Sequence, residues 1–368
     1  MKKLFLVIIL FSIIITGCSS GAQNQATETL SPTSTLTLTP NPTSTPLPTQ
    51  TPTSTPTPTL MPTPTGSGMG KLAYIKETKL ENSEFSVTNV YIYDFATQTE
   101  IQVTNNKKDS IGFFYQNINW SPDGTHLLFS AHTHTYNYGQ REIWNSMIFT
   151  MNSDGSNVQK VTMYPQLVGN YQGKYIVDDN RPSFITSDQI LFLSNRKNLQ
   201  NFLWEPLKPY IVNTTTMEIT SPFTTYLKVE YLSMSPDQTK IVLMADDGDS
   251  EIYISDLSDN GKVTQITKNT FSDRFPTYSP DGEWIAFHSD RDGNIELYVM
   301  RSDGSEVTRV TSNAAEDGTA SWSPDGKWLA FYSDQTGTAE AFIQNINTGE
   351  RIQITNGGDP VSYVRWSP

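Results

Sequence analysis

Ser-Pro-Asp recurs along this chain at a fixed interval. It stands at Ser121-Pro122-Asp123-Gly124, Ser235-Pro236-Asp237-Gln238, Ser279-Pro280-Asp281-Gly282 and Ser323-Pro324-Asp325-Gly326, and the sequence ends on Ser367-Pro368. The serines at 235, 279, 323 and 367 are 44 residues apart. A fixed period of this length means an array of similar units, each leaning on its neighbours for a core. Trp120, Tyr278, Trp322 and Trp366 each place an aromatic ring directly before the serine.

The copy that begins at Phe275 shows the grammar of one unit. Phe275–Tyr278 reads as a short strand, and Ser-Pro-Asp-Gly as a tight turn. Pro presets φ, Asp bonds the backbone ahead, and Gly accepts a positive φ. Strands follow over Trp284–Ser289, Ile295–Met300 and Val307–Thr311, separated by turns at 290–294 and 303–305. Four strands joined by hairpins in one period make an antiparallel blade. The stretch 290–294, Asp-Arg-Asp-Gly-Asn, has a calcium-loop flavour but lacks the distal Glu, so it reads as a hairpin turn.

The units Trp322–Phe331 (Trp-Ser-Pro-Asp-Gly-Lys-Trp-Leu-Ala-Phe) and Asn294–Ser305 resemble the repeats of TolB-type, WD-repeat-like β-propellers, and the resemblance runs over about 71–368. It implies an all-β propeller. Thr-ended fourth strands at Thr104, Thr162, Thr220, Thr267, Thr311 and Thr355 count six blades. The first unit, Lys71–Thr104, has three strands, and Tyr363–Trp366 is a first strand with no blade after it. The two fragments complement each other, so the C-terminal strand is expected to complete the first blade and close the ring without open edges. The second unit carries an insertion around Ala131–Glu142. The third replaces the turn motif with Ile185-Thr-Ser-Asp188, follows a long connection at Met163–Asn180, and contains an irregular stretch at Asn201–Tyr210. Insertions in repeat proteins map to loops, often on the binding face.

The first 70 residues have a different composition. Lys2 and Lys3 precede an apolar run, Leu4–Thr16, that is shorter than the roughly 20 residues of a membrane-spanning helix. That is the layout of a secretory signal, and Ile15-Thr16-Gly17-Cys18 resembles the bacterial lipobox. Residues 1–17 are expected to be removed and Cys18, the single Cys of the chain, to be lipidated, with an acyl group such as palmitate on the new N-terminus. More than one acyl chain gives stable membrane attachment. Residues 18–70 form the linker. Within it, Thr27–Thr65 holds 16 Thr, ten Pro and four Ser in 39 residues, too polar to bury a core and biased to extended, polyproline-like backbone. At about 3.1 Å per residue it reaches on the order of 100 Å.

The 25 Lys+Arg face 38 Asp+Glu, for a net charge of −13, which argues against a nucleic-acid partner. One Cys excludes an intramolecular disulfide. No Gly-x-Ser-x-Gly, His-Glu-x-x-His or phosphate loop occurs, so a non-enzymatic role is expected. His132 and His134 share a face if extended and could begin a metal site, or simply decorate a hairpin. Asp273 and Asp317 both lie six residues before their turn serine; Asp179, Glu230 and Asp359 occupy corresponding connections. These five carboxylates are candidates for a channel mouth, where they suit Ca²⁺ or a basic segment of a partner. The alternative for each is a cap on its own loop.

The resemblance implies a module that binds partner proteins of the cell envelope, partly through the propeller channel. The expectation is a monomeric lipoprotein outside the cytoplasm, touching the membrane only through its anchor and binding an envelope or extracellular protein. The second reading is a glycan-binding or lyase-type polysaccharide-degrading propeller.

Overall fold

This computed structural model describes residues 70–79, 86–106, 114–136, 142–162, 178–195, 207–223, 225–246 and 248–368. The signal segment 1–17, Cys18 and the tether up to residue 69 lie outside the described residues. So do the tip of the second-blade insertion, residues 163–177, and most of the 201–210 stretch.

The described residues form six four-stranded antiparallel sheets. Blade 1 pairs β1 (Lys71–Lys79), β2 (Ser86–Asp94) and β3 (Thr99–Gln102). Blade 2 comprises β4 (Phe114–Trp120), β5 (His126–Tyr136), β6 (Glu142–Asn152) and β7 (Gln159–Lys160). Blade 3 comprises β8 (Asp179–Phe184), β9 (Gln189–Ser194), β10 (Lys208–Asn213) and β11 (Ile219–Thr220). Blade 4 comprises β12 (Lys228–Met234), β13 (Lys240–Asp246), β14 (Ser250–Asp256) and β15 (Lys262–Gln265). Blade 5 comprises β16 (Asp273–Tyr278), β17 (Trp284–Ser289), β18 (Glu296–Arg301) and β19 (Thr308–Arg309). Blade 6 comprises β20 (Asp317–Trp322), β21 (Trp328–Ser333), β22 (Glu340–Asn345) and β23 (Arg351–Gln353). The last strand, β24 (Val361–Trp366), joins blade 1 as its fourth and innermost strand. Its register sets Leu72 opposite Trp366 and Lys76 opposite Val361. The inner strands neighbour one another in the cycle β4, β8, β12, β16, β20, β24 and back to β4, so the ring is closed as the sequence predicts.

The recurring residues have distinct bonding roles. In the turn after β16, Ser279 Oγ donates to Asp281 Oδ1 at 2.5 Å and accepts the Trp284 amide at 2.9 Å. Asp281 accepts the Glu283 amide, and Gly282, at φ +73°, donates its amide to the Ser279 carbonyl. The same set forms at Ser121, Ser235 and Ser323. In blade 4 Gln238 takes the glycine's place at φ +62°. The strand-ending threonines close a second recurring bond. Thr311 Oγ1 accepts the Leu297 amide at 2.9 Å and donates to Glu296, which is fully buried. Thr267 with Glu251, Thr355 with Glu340, and Thr104 with Asn89 repeat it. A buried carboxylate is costly unless bonded, and this hydroxyl meets that need in three blades.

The core is divided between blades. One apolar cluster joins blades 1 and 2 through Ile75, Val90, Ile118 and Phe129, and five more lie between the other neighbouring pairs. Each sheet is therefore buried on both faces. This explains why the middle strands read as near-continuous apolar runs, such as Leu127-Leu128-Phe129 and Ile190–Leu193, rather than as an alternation. The inner-strand tryptophans pack between blades. Trp120 Nε1 donates to the Arg365 carbonyl at 3.1 Å, and Trp322 Nε1 to the Thr277 carbonyl at 3.2 Å.

Candidate functional site: the propeller channel

A regular inner strand would send alternate side chains to its two neighbours and none along the axis. Each inner strand here is interrupted. The register shifts within residues 116–119, 180–183, 229–231, 274–277 and 318–321, and opposite β24 between Ala73 and Ile75. In five of the six strands the interrupting residue has positive φ: Asn117 +50°, Arg181 +53°, Phe275 +51°, Thr319 +51° and Tyr363 +52°. Tyr231 holds the matching position in β12. All six stand four residues before the start of their turns. Asn tolerates this conformation, whereas for Phe, Tyr and Thr it costs about 1–2 kcal/mol. Bulges of this kind re-aim a side chain, and strain of this kind clusters at functional sites.

The re-aimed side chains meet. The Arg181 guanidinium carbon lies 5.1 Å from the ring centre of Phe275, 5.7 Å from Tyr231 and 6.0 Å from Tyr363. These rings belong to three different blades, so Arg181 reaches across the axis. Its Nη1 donates to Asn117 Oδ1 at 2.5 Å, and Asn117 Nδ2 donates to Asn180 Oδ1 at 2.5 Å. Along the same channel a cavity of about 150 Å³ is lined by inner-strand residues from all six blades. Its described lining includes Asn119, Ser183, Ser233, Thr277, Ser321 and Arg365, and contains no His, Cys, Asp or Glu. Arg365 donates from Nη2 to Tyr231 Oη at 3.3 Å and from Nη1 to the Val364 carbonyl at 2.9 Å.

The carboxylates singled out in the sequence lie elsewhere. Asp273 and Asp317 are fully buried, and Asp179 is 1% exposed. Asp273 accepts from Asn269 and pairs with Arg291 at 2.8 Å; Asp317 accepts from Asn313 and pairs with Arg351 at 3.1 Å. Asp179 accepts the Ser194 hydroxyl at 2.5 Å. Asp179 and Asp273 tie a blade's first strand to its second strand or the turn after it, and Asp317 ties the first strand of blade 6 to its last. Glu230 pairs with Lys228 at 2.7 Å, and Asp359 accepts the Thr78 hydroxyl at 2.9 Å. None of the five lines the cavity. Among the described residues no three His, Cys, Asp or Glu side chains assemble to hold a metal ion. The 290–294 stretch is a hairpin turn closed by the Gly293 amide on the Asp290 carbonyl.

His132 sits on β5 opposite Ser146. Burial lowers its pKa, with Asp178 pulling the other way, and burial raises that of Asp178. The side chain of His134 lies outside the described set. His288, 4% exposed, has no hydrogen-bond partner on either nitrogen and packs edge-on against Phe275 at 4.8 Å. Burial, helped by Arg274, pushes its pKa down to about 3.

Sequence reasoning fixed on acidic residues near the strand entries, of which Asp179, Asp273 and Asp317 lie six before their turns, and missed the position four before the turn, where the channel ring lies. On an unbroken strand both would share one face; the bulge separates them, burying the first and aiming the second at the axis.

Comparison with known proteins agrees with this architecture. Residues 210–313 and 233–368 match the TolB beta propeller domain. TolB from Acinetobacter baumannii superposes with a TM-score of 0.63 at 18% identity, over 82% of this chain and 68% of that one. A putative TolB from Agrobacterium tumefaciens gives 0.56 at 20% identity, over 82% of this chain and all of that one (100%). An uncharacterized protein of Agrobacterium fabrum is 39% identical over 51 residues, which span 14% of this chain and only 17% of the relative. The domain is a six-bladed propeller that resembles the TolB beta propeller domain.

Proposed function

We propose that this chain is a lipoprotein anchored at Cys18 outside the cytoplasm, whose tether at 18–70 holds out a propeller that binds a protein partner of the envelope or beyond it. The anchor reading is supported by Lys2, Lys3, the Leu4–Thr16 run and a lone Cys at the lipobox position. The binding reading rests on one observation: a polar cavity in the channel is lined by inner-strand residues of all six blades, and the strand bulges bring Arg181 on its wall against Phe275, Tyr231 and Tyr363. TolB-like propellers act as protein-interaction modules, which fits.

Two experiments test the two halves. Cys18→Ala is expected to release the protein from membranes on fractionation; membrane retention of the variant contradicts the anchor. For binding, the full chain in detergent is immobilised and exposed to envelope extract beside Ser233→Trp, which fills the cavity. A protein kept by the wild type and lost by a correctly folded Ser233→Trp upholds channel binding. Equal retention by both moves the interface off the channel.

A further inference from the structure

The channel contains two cations that no described residue neutralises. Arg291, Arg309 and Arg351 all lie within 3.1 Å of a buried carboxylate. Arg181 and Arg365 form no ion pair with any described residue. Each guanidinium has five N–H donors. Among the described residues, side-chain and carbonyl acceptors take one from Arg181 and two from Arg365. The charge of Arg181 reaches Asp178 only as the weakest influence on that carboxyl. Both arginines are half-buried, so solvent reaches them. They are tied through one residue, Tyr231, whose ring face meets Arg181 and whose hydroxyl accepts from Arg365. In a chain of net charge −13, this is a local reversal of sign.

We infer that Arg181 and Arg365 form a carboxylate-binding site inside the channel, which takes an Asp or Glu side chain, or a C-terminus, of the partner. The inference rests on the protein-binding reading and supplies its chemistry. The fork of a guanidinium matches the two oxygens of a carboxylate, and at a half-buried site the bond is stronger than in open water. The aromatic cage around Arg181 and its bond to Asn117 hold that fork in place before the ligand arrives, so little side-chain freedom is lost on binding. A cavity of about 150 Å³ has room for a side chain or chain end and is too narrow for a helix about 10 Å across. Hydroxyls of Ser183, Ser233 and Ser321 around it offer further donors.

The test uses the full chain in detergent and four fluorescent or NMR-detected probes. These are acetyl-Gly-Gly-Glu-Gly-Gly-amide, its Gln counterpart, acetyl-tetraglycine with a free C-terminus, and inorganic phosphate; propanoate serves as a carboxylate without peptide. At least one carboxylate peptide is expected to bind tenfold or more tightly than the Gln peptide. Arg181→Gln and Arg365→Gln are each expected to weaken it tenfold or more, and Arg365→Lys, which keeps charge but not the fork, to fall between. An unchanged melting temperature in Arg365→Gln separates loss of a ligand contact from loss of fold. Equal binding of Glu and Gln peptides, or binding undiminished in both Gln variants, overturns the inference. So does phosphate binding more tightly than every carboxylate. Propanoate binding that is lost in the variants, with no gain from attached peptide, upholds the arginine site while counting against a protein partner. Binding of neither propanoate nor peptide overturns the site itself.

Discussion

Closure of the ring by β24 predicts that its few residues hold the whole propeller. Val361, Val364 and Trp366 are 2%, 0% and 7% exposed, and Trp366 stacks on Phe95 with ring centres 5.1 Å apart. Burying each is worth about 1.5–3 kcal/mol, so removing residues 361–368 forfeits roughly 5–9 kcal/mol before the lost ladder hydrogen bonds are counted. Folded domains have only about 5–15 kcal/mol in total. The cut also exposes β1 as an open edge in a sheet that carries Leu72, Ala73, Tyr74 and Ile75 fully buried. The truncated chain is expected to lose cooperative unfolding or to aggregate. Trp366→Ala is the milder form, with an expected cost of about 3–5 kcal/mol and a fall in melting temperature on the order of 10 °C. Circular dichroism melts and urea titrations of the wild type, Trp366→Ala and the truncation read this directly. A truncated protein that melts with the wild type refutes closure.

Three further outcomes follow from the same structure. Thr319→Gly relieves a β-branched residue at φ +51° whose buried hydroxyl has no partner, and should stabilise by about 1 kcal/mol; a lower melting temperature contradicts the strain argument. His288 stays neutral in the fold down to about pH 3, whereas the unfolded chain protonates its His near pH 6.5. Stability is therefore lost as pH falls between those values, by about 3 kcal/mol at pH 4.5; His288→Leu should remove that slope, and identical acid profiles would exclude this cause. Ser279→Ala removes one donor and one acceptor of the blade 5 turn and is expected to cost about 1–2 kcal/mol, against which an unchanged urea midpoint would count.

The architecture was legible because its chemistry repeats. The serines of the turns at Ser121, Ser235, Ser279 and Ser323, and the closing Thr104, Thr162, Thr267, Thr311 and Thr355, are held by the same backbone bonds from blade to blade. Spacing alone therefore exposes them. The half-blades at Lys71 and Tyr363 were legible for the same reason. The channel was not, since its six residues are Asn117, Arg181, Tyr231, Phe275, Thr319 and Tyr363. They share a position and a backbone bulge but no side-chain type. Arg181 was further hidden in the blade where Ile185–Asp188 replaces the turn motif. There the loop is closed by Thr186 Oγ1 on Asp188 Oδ1 at 2.7 Å rather than by Ser, Pro and Gly. The acidic residues were conspicuous for the opposite reason. Asp273 and Asp317 recur as buried acceptors at the strand entries of blades 5 and 6, and recurrence alone does not separate such an anchor from a ligand site.

The most direct test of the central claim, that the partner enters the channel, is photocrosslinking of the full chain in its own cells. A photoreactive residue replaces Ser233 inside the cavity or Val307 on the outer surface, where 43% of the side chain is exposed. The account predicts one discrete adduct from position 233, lost when Arg365→Gln is added, and none from position 307. Adducts from position 307 with none from 233 would place the interface on the outside and contradict it.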